Sequence, residues 1–530
     1  MALECLEIDS CVQEISPPRS IFFPKKTLKK QSLAQPVSKY TTTTRRAAAE
    51  AAVASSDDSS GANPHRRLIT DLPPALVSEI LHCLDPKDLG VVSCVSTLLH
   101  TLATNHFGWK NFYFDRWGPP SGPPTDSDPS SSSFWKDLFV DRETKSRCFM
   151  GRFNVDSLHG NTEAVRAVFL LQSAGLVFTG GYDSVVRMWD MEDGFLISAS
   201  RPLGCTVRAI AADAGLLVVA GTGAFIHCWR AAAGHPRRFD ITGFVGSAGG
   251  SNSELRLWGH EGPITCLGLD SARIFSGSWD MSIRVWDRAS LKCLKTLRHM
   301  DWVWALVPRG STVASTAGRD AYIWDIESGT LVNVVHDAHG SNSSALARSC
   351  SGDILFTGGE DGAIHMFEVG SQGSKEDIRK IATWKPHTGP ISSLAFEFPW
   401  LVSSSSDGRL SLIDVRKLLR SEHRSKVYKQ AANGVEPPQR MLHWPGSNLF
   451  SVAIGAHRIV CGGEDSVVRI WNFSQALDIE KRIQASRGIR LENRMRRRKV
   501  QIEMNSKSGR PDQSIVSSKK NQMSGSRKGI

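Results

Sequence analysis

Eleven cysteines are scattered through this 530-residue chain, and no two of them stand in a Cys-x-x-Cys pair. An odd number of isolated thiols argues against a disulfide framework or a zinc knuckle and points to a reducing compartment, nucleus and/or cytoplasm. Long apolar runs are also missing. No stretch of about 18 residues is free of charge and turn breakers, so no membrane contact is expected. The first residues lack an apolar core and carry Glu4, Glu7, Asp9 and Glu14, which argues against a secretory signal or an organelle transit peptide. No Gly-rich phosphate loop, nucleophile elbow or cluster of metal ligands appears, so no catalytic residue, cofactor or metal is expected. Net charge is largely absent from the body of the chain as well. The total is +11, but the last 57 residues hold 15 Lys and Arg against 5 Asp and Glu, leaving +1 for the rest. The basic character belongs to a tail.

What is present is a repeat. Gly-x-Asp, a short apolar run and a closing Trp-Asp recur, most clearly in Gly277-Ser278-Trp279-Asp280 followed by Trp286-Asp287. The Asp stands six residues before the closing position at Asp183/Trp189, Asp280/Trp286, Asp361/Phe367, Asp407/Ile413 and Asp465/Trp471. Degraded copies end at Trp229, where Gly223 replaces the Asp, and at Trp324, where Asp320 is two residues too close. A period of about 40 residues, each unit holding several short apolar runs, predicts small antiparallel sheets arranged radially.

Residues 148–473 thus resemble the WD-repeat family, and seven closing positions imply a seven-bladed β-propeller. The resemblance implies that His260, Ser276, Asp280 and Trp286 form a hydrogen-bonded set within blade three. Asp183, Trp189, Asp465 and Trp471 occupy the same structural positions elsewhere. Repetition around a ring marks these groups as architectural. The segment from Cys148 to Val155 is expected to be a strand that completes the last blade near Trp471, leaving no open edge.

Ahead of the repeats, Asp71-Leu72-Pro73-Pro74 reads as a helix start with Asp71 as cap. Leu72, Leu76, Ile80 and Leu84 then share one helical face. Asp85-Pro86 breaks the chain, Asp88 is placed to cap a second helix bearing Leu89, Val92 and Val95, and a third segment carries Leu98, Leu99 and Leu102. With the terminal Trp109-Lys110, residues 66–117 resemble an F-box. That family docks on a Skp-type adaptor, and through it on a cullin/RING ubiquitin ligase. The resemblance carries Leu72, Pro73, Leu76, Ile80 and Leu81 over as adaptor contacts, supported by Leu89, Val92 and Val95.

The remaining segments are a Ser/Thr/Ala/Lys-rich arm (1–65) expected to be disordered, and 118–147, a Pro/Ser linker with a bracing helix over 134–142. Two inserts carry Gly249–Ser253 and Lys417, Arg420, Arg424, Lys426 and Lys429. The basic tail (474–530) is expected to begin as an amphipathic helix and to end in disorder. The fold class is therefore mainly β: a propeller preceded by a small α-helical box, with disordered tails.

In relatives, two positions per repeat face the binding rim: the residue before the hairpin Asp and the start of the innermost strand. Here these give Arg166, Tyr182, Arg208, Trp279, Trp304 and Arg319, with Thr265, Phe450, Glu360 and Glu464 around them. The arginines suit one carboxylate or phosphate, and the tryptophans suit an apolar anchor. The function implied is a non-catalytic substrate receptor of an SCF-type ubiquitin ligase, its target an acidic or phosphorylated protein. Two other readings stay open: a scaffold without ubiquitin output, and a chromatin or nucleic-acid binder acting only through the tail.

Overall fold

Each repeat is cut by Gly, Asp and Ser turns into apolar runs of four to seven residues, too short for stable helices and the right length for strands. The computed structural model describes residues 69, 72–104, 108–119, 134–231, 239–242, 254–370, 378–419, 435–436, 438–443, 448–455 and 457–507. The N-terminal arm, the Pro/Ser linker, the Gly249–Ser253 insert, most of the basic insert, and the chain after 507 lie outside the described residues.

The strands form seven antiparallel sheets, one per repeat, and the protein is mainly β. Blades one to six take their strands in chain order from 165–199, 207–258, 264–298, 303–335, 343–384 and 391–443. Blade five gains a short parallel strand, Val435–Glu436, beside Ile378–Trp384. Blade seven takes three strands from 449–472 and its fourth from Asn154–Leu158, which pairs antiparallel with Val468–Asn472, Val155 opposite Trp471. The closing strand thus begins later than the sequence suggested. Cys148–Met150 forms a 3-10 turn instead, because Cys148 and Phe149 are buried with Trp400 and Phe473 beneath blades six and seven.

Apolar faces of neighbouring blades bury one another. Phe178, Ile210 and Trp229 join blades one and two, and Leu158, Val177, Trp189, Val460 and Ile470 join seven to one. Within blade three, His260 Nδ1 lies 2.6 Å from Asp280 Oδ2 and its Nε2 lies 2.7 Å from Ser276 Oγ, which also accepts the Trp286 indole N–H at 2.9 Å. Blades five and six repeat the arrangement with His339/Thr357/Asp361 and His387/Ser403/Asp407. Blade one replaces the histidine with Asn161: Arg187 pairs with Asp183 at 2.6 Å and Trp189 donates to Thr179. Blade seven likewise pairs Asp465 with Arg469, and Trp471 is buried.

The box consists of α1 (Pro74–His82), α2 (Pro86–Val92), α3 (Thr97–Thr104) and α4 (Gly108–Trp117). Two capping expectations need correction. Pro73 occupies the cap position of α1 without a side-chain bond, and Asp71 lies outside the described residues. At α2 the cap is Asp85, whose carboxylate accepts the Asp88 backbone N–H at 2.8 Å, and Pro86 fills the first helical position.

The box joins the propeller through α5 (Phe134–Lys145). Phe139 meets both Trp109 and Trp117 at 5.3 Å. Trp117 then reaches blade six, stacking edge-on to Phe398 and donating its indole N–H to the Phe398 carbonyl at 2.8 Å. Arg142 pairs with Glu397 at 2.6 Å, and Arg416 in the short helix α6 (Arg416–Leu419) pairs with Glu143 at 3.2 Å. The last helix, α7 (Ser474–Lys507), roots in the same joint. A Cβ on Gly151 would lie 2.4 Å from Ala476 Cβ, so the helix seats where the glycine leaves room. Arg147 pairs with Glu480, and Thr144 meets Gln484. The expectation that the tail opens as a helix holds, and the helix reaches 34 residues.

Two outcomes are expected. Burial lowers the pKa of His299 to about 4 and of His365 to about 3, and also lowers those of His339 and His387. Below pH 6.5 the unfolded chain therefore binds protons that the native rings refuse. Stability present above that pH is lost as pH falls from about 6.5 to about 4, at about 2 kcal/mol by pH 5 for a ring like His299. Melting temperature measured between pH 7.5 and 5 should fall steadily; a flat profile would contradict the buried neutral histidines. Second, Trp117→Ala should cost about 3 kcal/mol at the joint. Amide exchange in α5 should then rise by roughly 100-fold while blades two to four keep their protection.

Candidate binding surfaces

Two surfaces stand out, one on the box and one on the propeller rim. On the box, Leu76 and Ile80 stand four residues apart on one face of α1 and Leu72 lies just ahead of the helix; all three are exposed, Leu76 at 52%. Pro73 is exposed beside them. Val91, Val95 at 70% and Leu98 extend the apolar surface across α2 and α3. Leu81 and Leu89 do not belong to it. They are buried with Val77, Leu99, Trp109 and Tyr113 in the box's own core, and Val92 packs partly against that cluster. Their role is to hold the helices that present the others. Helical spacing alone could not separate the two sides, because α1 is apolar on both. Val91 was not singled out from the sequence, and Leu98 was named there only as an apolar residue of the third segment.

On the rim, the second residue of each innermost strand is a β-bulge. The register shifts between residues 165 and 167, 207 and 209, 264 and 266, 303 and 305, 343 and 345, 391 and 393, and 449 and 451. A bulge frees one side chain from the alternation of the strand and re-aims it. The residues so placed are Arg166, Arg208, Thr265, Trp304, Ser344, Ser392 and Phe450. The two serines were not singled out from sequence. The contacts of this set run across blade boundaries: Thr265 Oγ1 lies 2.6 Å from the Val303 carbonyl, and Ser344 meets the Ile391 carbonyl.

Arg166 lies over Phe450 at 4.3 Å and Tyr182 at 5.7 Å, and Arg208 lies over Trp279 at 4.8 Å. Neither guanidinium has a carboxylate partner among the described residues. Burial and, after it, the neighbouring Arg166 charge lower the Arg208 pKa to about 10. Arg208 therefore remains a cation at neutral pH. Trp279 stacks on Trp302 at 5.1 Å, and Trp304 meets both edge-on at 6.2 Å. Trp302 is 43% exposed, and it too escaped sequence reading because it precedes the strand instead of starting it. The buried indole N–H of Trp279 has no partner among the described residues. Arg319 stands apart: it is exposed on the blade-four hairpin, with no described contact tying it to Arg166 or Arg208. Glu360 and Glu464 are exposed on blades five and seven.

One further grouping has metal-ligand chemistry. Donor atoms of His339, Asp361 and His365 lie within 4.8 Å of one another. The set does not suit a cation. Both His339 nitrogens are already bonded, to Asp361 and Thr357, and Lys380 Nζ sits 3.4 Å from His365 Nε2. It is the blade-five version of the architectural set.

Comparison with known proteins agrees with this geometry. The F-box-like family model matches residues 69–115, and the WD domain, G-beta repeat model matches 153–190, 250–287 and 378–414. An F-box/WD-40 repeat-containing protein of Arabidopsis thaliana is 60% identical over 460 residues, covering 87% of this chain and 85% of the relative. Autophagy-related protein 16 of the same plant is 24% identical over 291 residues, covering 48% of this chain and 55% of its own. Among solved structures, the WD40 β-propeller domain of Doa1 aligns with a TM-score of 0.48 at 18% identity, covering 61% of this chain and 97% of that one. With box and propeller both matched and the similarity running through most of its length, the chain belongs to the F-box/WD-40 repeat protein family.

Proposed function

We propose that this protein is a substrate receptor of an SCF-type ubiquitin ligase. The observation that carries the reading is the exposed apolar face of Leu72, Leu76, Ile80, Val91 and Val95 on a box whose other side is buried against α4 and α5. Exposed apolar residues grouped on one small box mark a protein partner, and the family's partner for it is a Skp-type adaptor leading to a cullin/RING ligase. The propeller rim holds the target. Arg166 and Arg208 receive one carboxylate or phosphate, and the Trp279–Trp302–Trp304 cluster receives an apolar side chain beside it. The receptor does no chemistry of its own. It acts by proximity, raising the effective concentration of a target lysine near the conjugating enzyme.

Two experiments test this. Leu76→Asp/Ile80→Asp alters exposed positions only. It should weaken capture of a purified Skp-type adaptor by roughly 100-fold or more, at unchanged melting temperature and with target capture intact. Full adaptor binding by the variant would remove the box from the interface. Arg208→Glu should leave adaptor capture alone and reduce target capture by roughly tenfold or more at low salt. Unchanged target capture would place the target elsewhere on the propeller.

A further inference from the structure

Helix α7 is longer than its role in the joint requires. Its bonds to α5 and the turn behind it end at Gln484. From Ala485 to Met504 every described side chain is exposed. At 1.5 Å per residue this half extends about 30 Å past the last contact.

Its charge is organised. Arg487, Arg490, Arg494, Arg497 and Arg498 follow one another at steps of three, four, three and one. At 100° per residue they fall within an arc of about 100°. None bonds a carboxylate among the described residues, whereas Arg496, on the opposite side, pairs with Glu492 at 2.6 Å. The acidic residues of this half, Glu492 and Glu503, both lie away from the arginine face.

The apolar residues decide against a bilayer. Met495 and Ile502 flank the arginine face on one side, while Ile489, Val500 and Met504 lie on another, and no aromatic residue occurs in 474–507. A helix that lies in a membrane surface needs one continuous apolar face, usually with aromatic anchors. The remaining ligand is a polyanion in water. Five guanidinium groups within about 17 Å of helix match the dense, regular charge of a nucleic-acid backbone, and their planar forks fit phosphate oxygens bidentately.

We propose that the exposed half of α7 binds the phosphate backbone of a nucleic-acid duplex through Arg487, Arg490, Arg494, Arg497 and Arg498, without reading bases. The proposal stands apart from the ligase reading, since α7 shares no residue with the box face or the rim.

The test uses the full-length chain and labelled random-sequence duplexes of roughly 24 base pairs, one DNA and one RNA, followed by anisotropy across salt. The expected result is micromolar binding at about 50 mM salt, with log K falling against log salt at a slope of about −4. Arg490→Gln/Arg494→Gln/Arg497→Gln should weaken binding at least tenfold and flatten the slope by about 2 to 3. The matching Arg→Lys triple should retain most of the affinity. Glutamine is a good helix former, so an unchanged helical circular dichroism signal separates lost charge from lost structure. A stronger response to one duplex identifies the source as DNA or RNA. Absence of binding at low salt overturns the proposal. So does a glutamine variant that binds like the wild type, or preference for polyglutamate or phosphatidylserine vesicles over both duplexes.

Discussion

Ring closure is the constraint on which the rest of the structure depends. Each four-stranded blade has two apolar faces and can cover neither alone. The faces are covered only because blade seven borrows Asn154–Leu158 from ahead of blade one, which brings Val177 and Trp189 against Val460 and Ile470. The borrowed strand begins nine residues after α5 ends. The interaction that seals the propeller therefore also fixes the chain that carries the box. Between them, Cys148 and Phe149 are packed under blades six and seven in the cluster that also buries Trp471, the residue opposite Val155 of the borrowed strand.

Much of this was legible in the sequence, and the reason is periodicity. A fixed six-residue spacing from Asp to closing residue identifies a hairpin and its strand even where Phe367 or Ile413 replaces the tryptophan, because those positions still need a large buried side chain. Legibility failed where the repeat does not govern. The segment after Cys148 reads as apolar and extended, yet tertiary burial of Phe149 turns it into a 3-10 turn. On the box, Leu81 and Leu89 share helical spacing with their exposed neighbours. Only the packing of Trp109 and Phe139 shows which side faces inward.

The rim illustrates the same division. Arg166 and Arg208 were found because they occupy equivalent places in consecutive repeats. The physical reason for the equivalence, a bulge at that place in every blade, is a backbone feature that no residue type announces. Trp302 and the unpartnered Trp279 indole emerge only when blades three and four are set side by side. Two guanidinium groups lie against aromatic rings there, Arg166 over Phe450 and Arg208 over Trp279.

The Trp117–Phe398 contact has a consequence for geometry. Stacking, an indole hydrogen bond and the Arg142–Glu397 pair hold the box to one hairpin of blade six, which leaves that attachment no evident pivot. In the receptor role proposed above, such an attachment makes the chain a ruler of set length. Whatever the propeller grips is presented at one distance and bearing from whatever the box grips. Under the receptor role proposed above, adjustment would come from slack in the captured protein itself, and the cargo's own loose ends would choose the modified lysine.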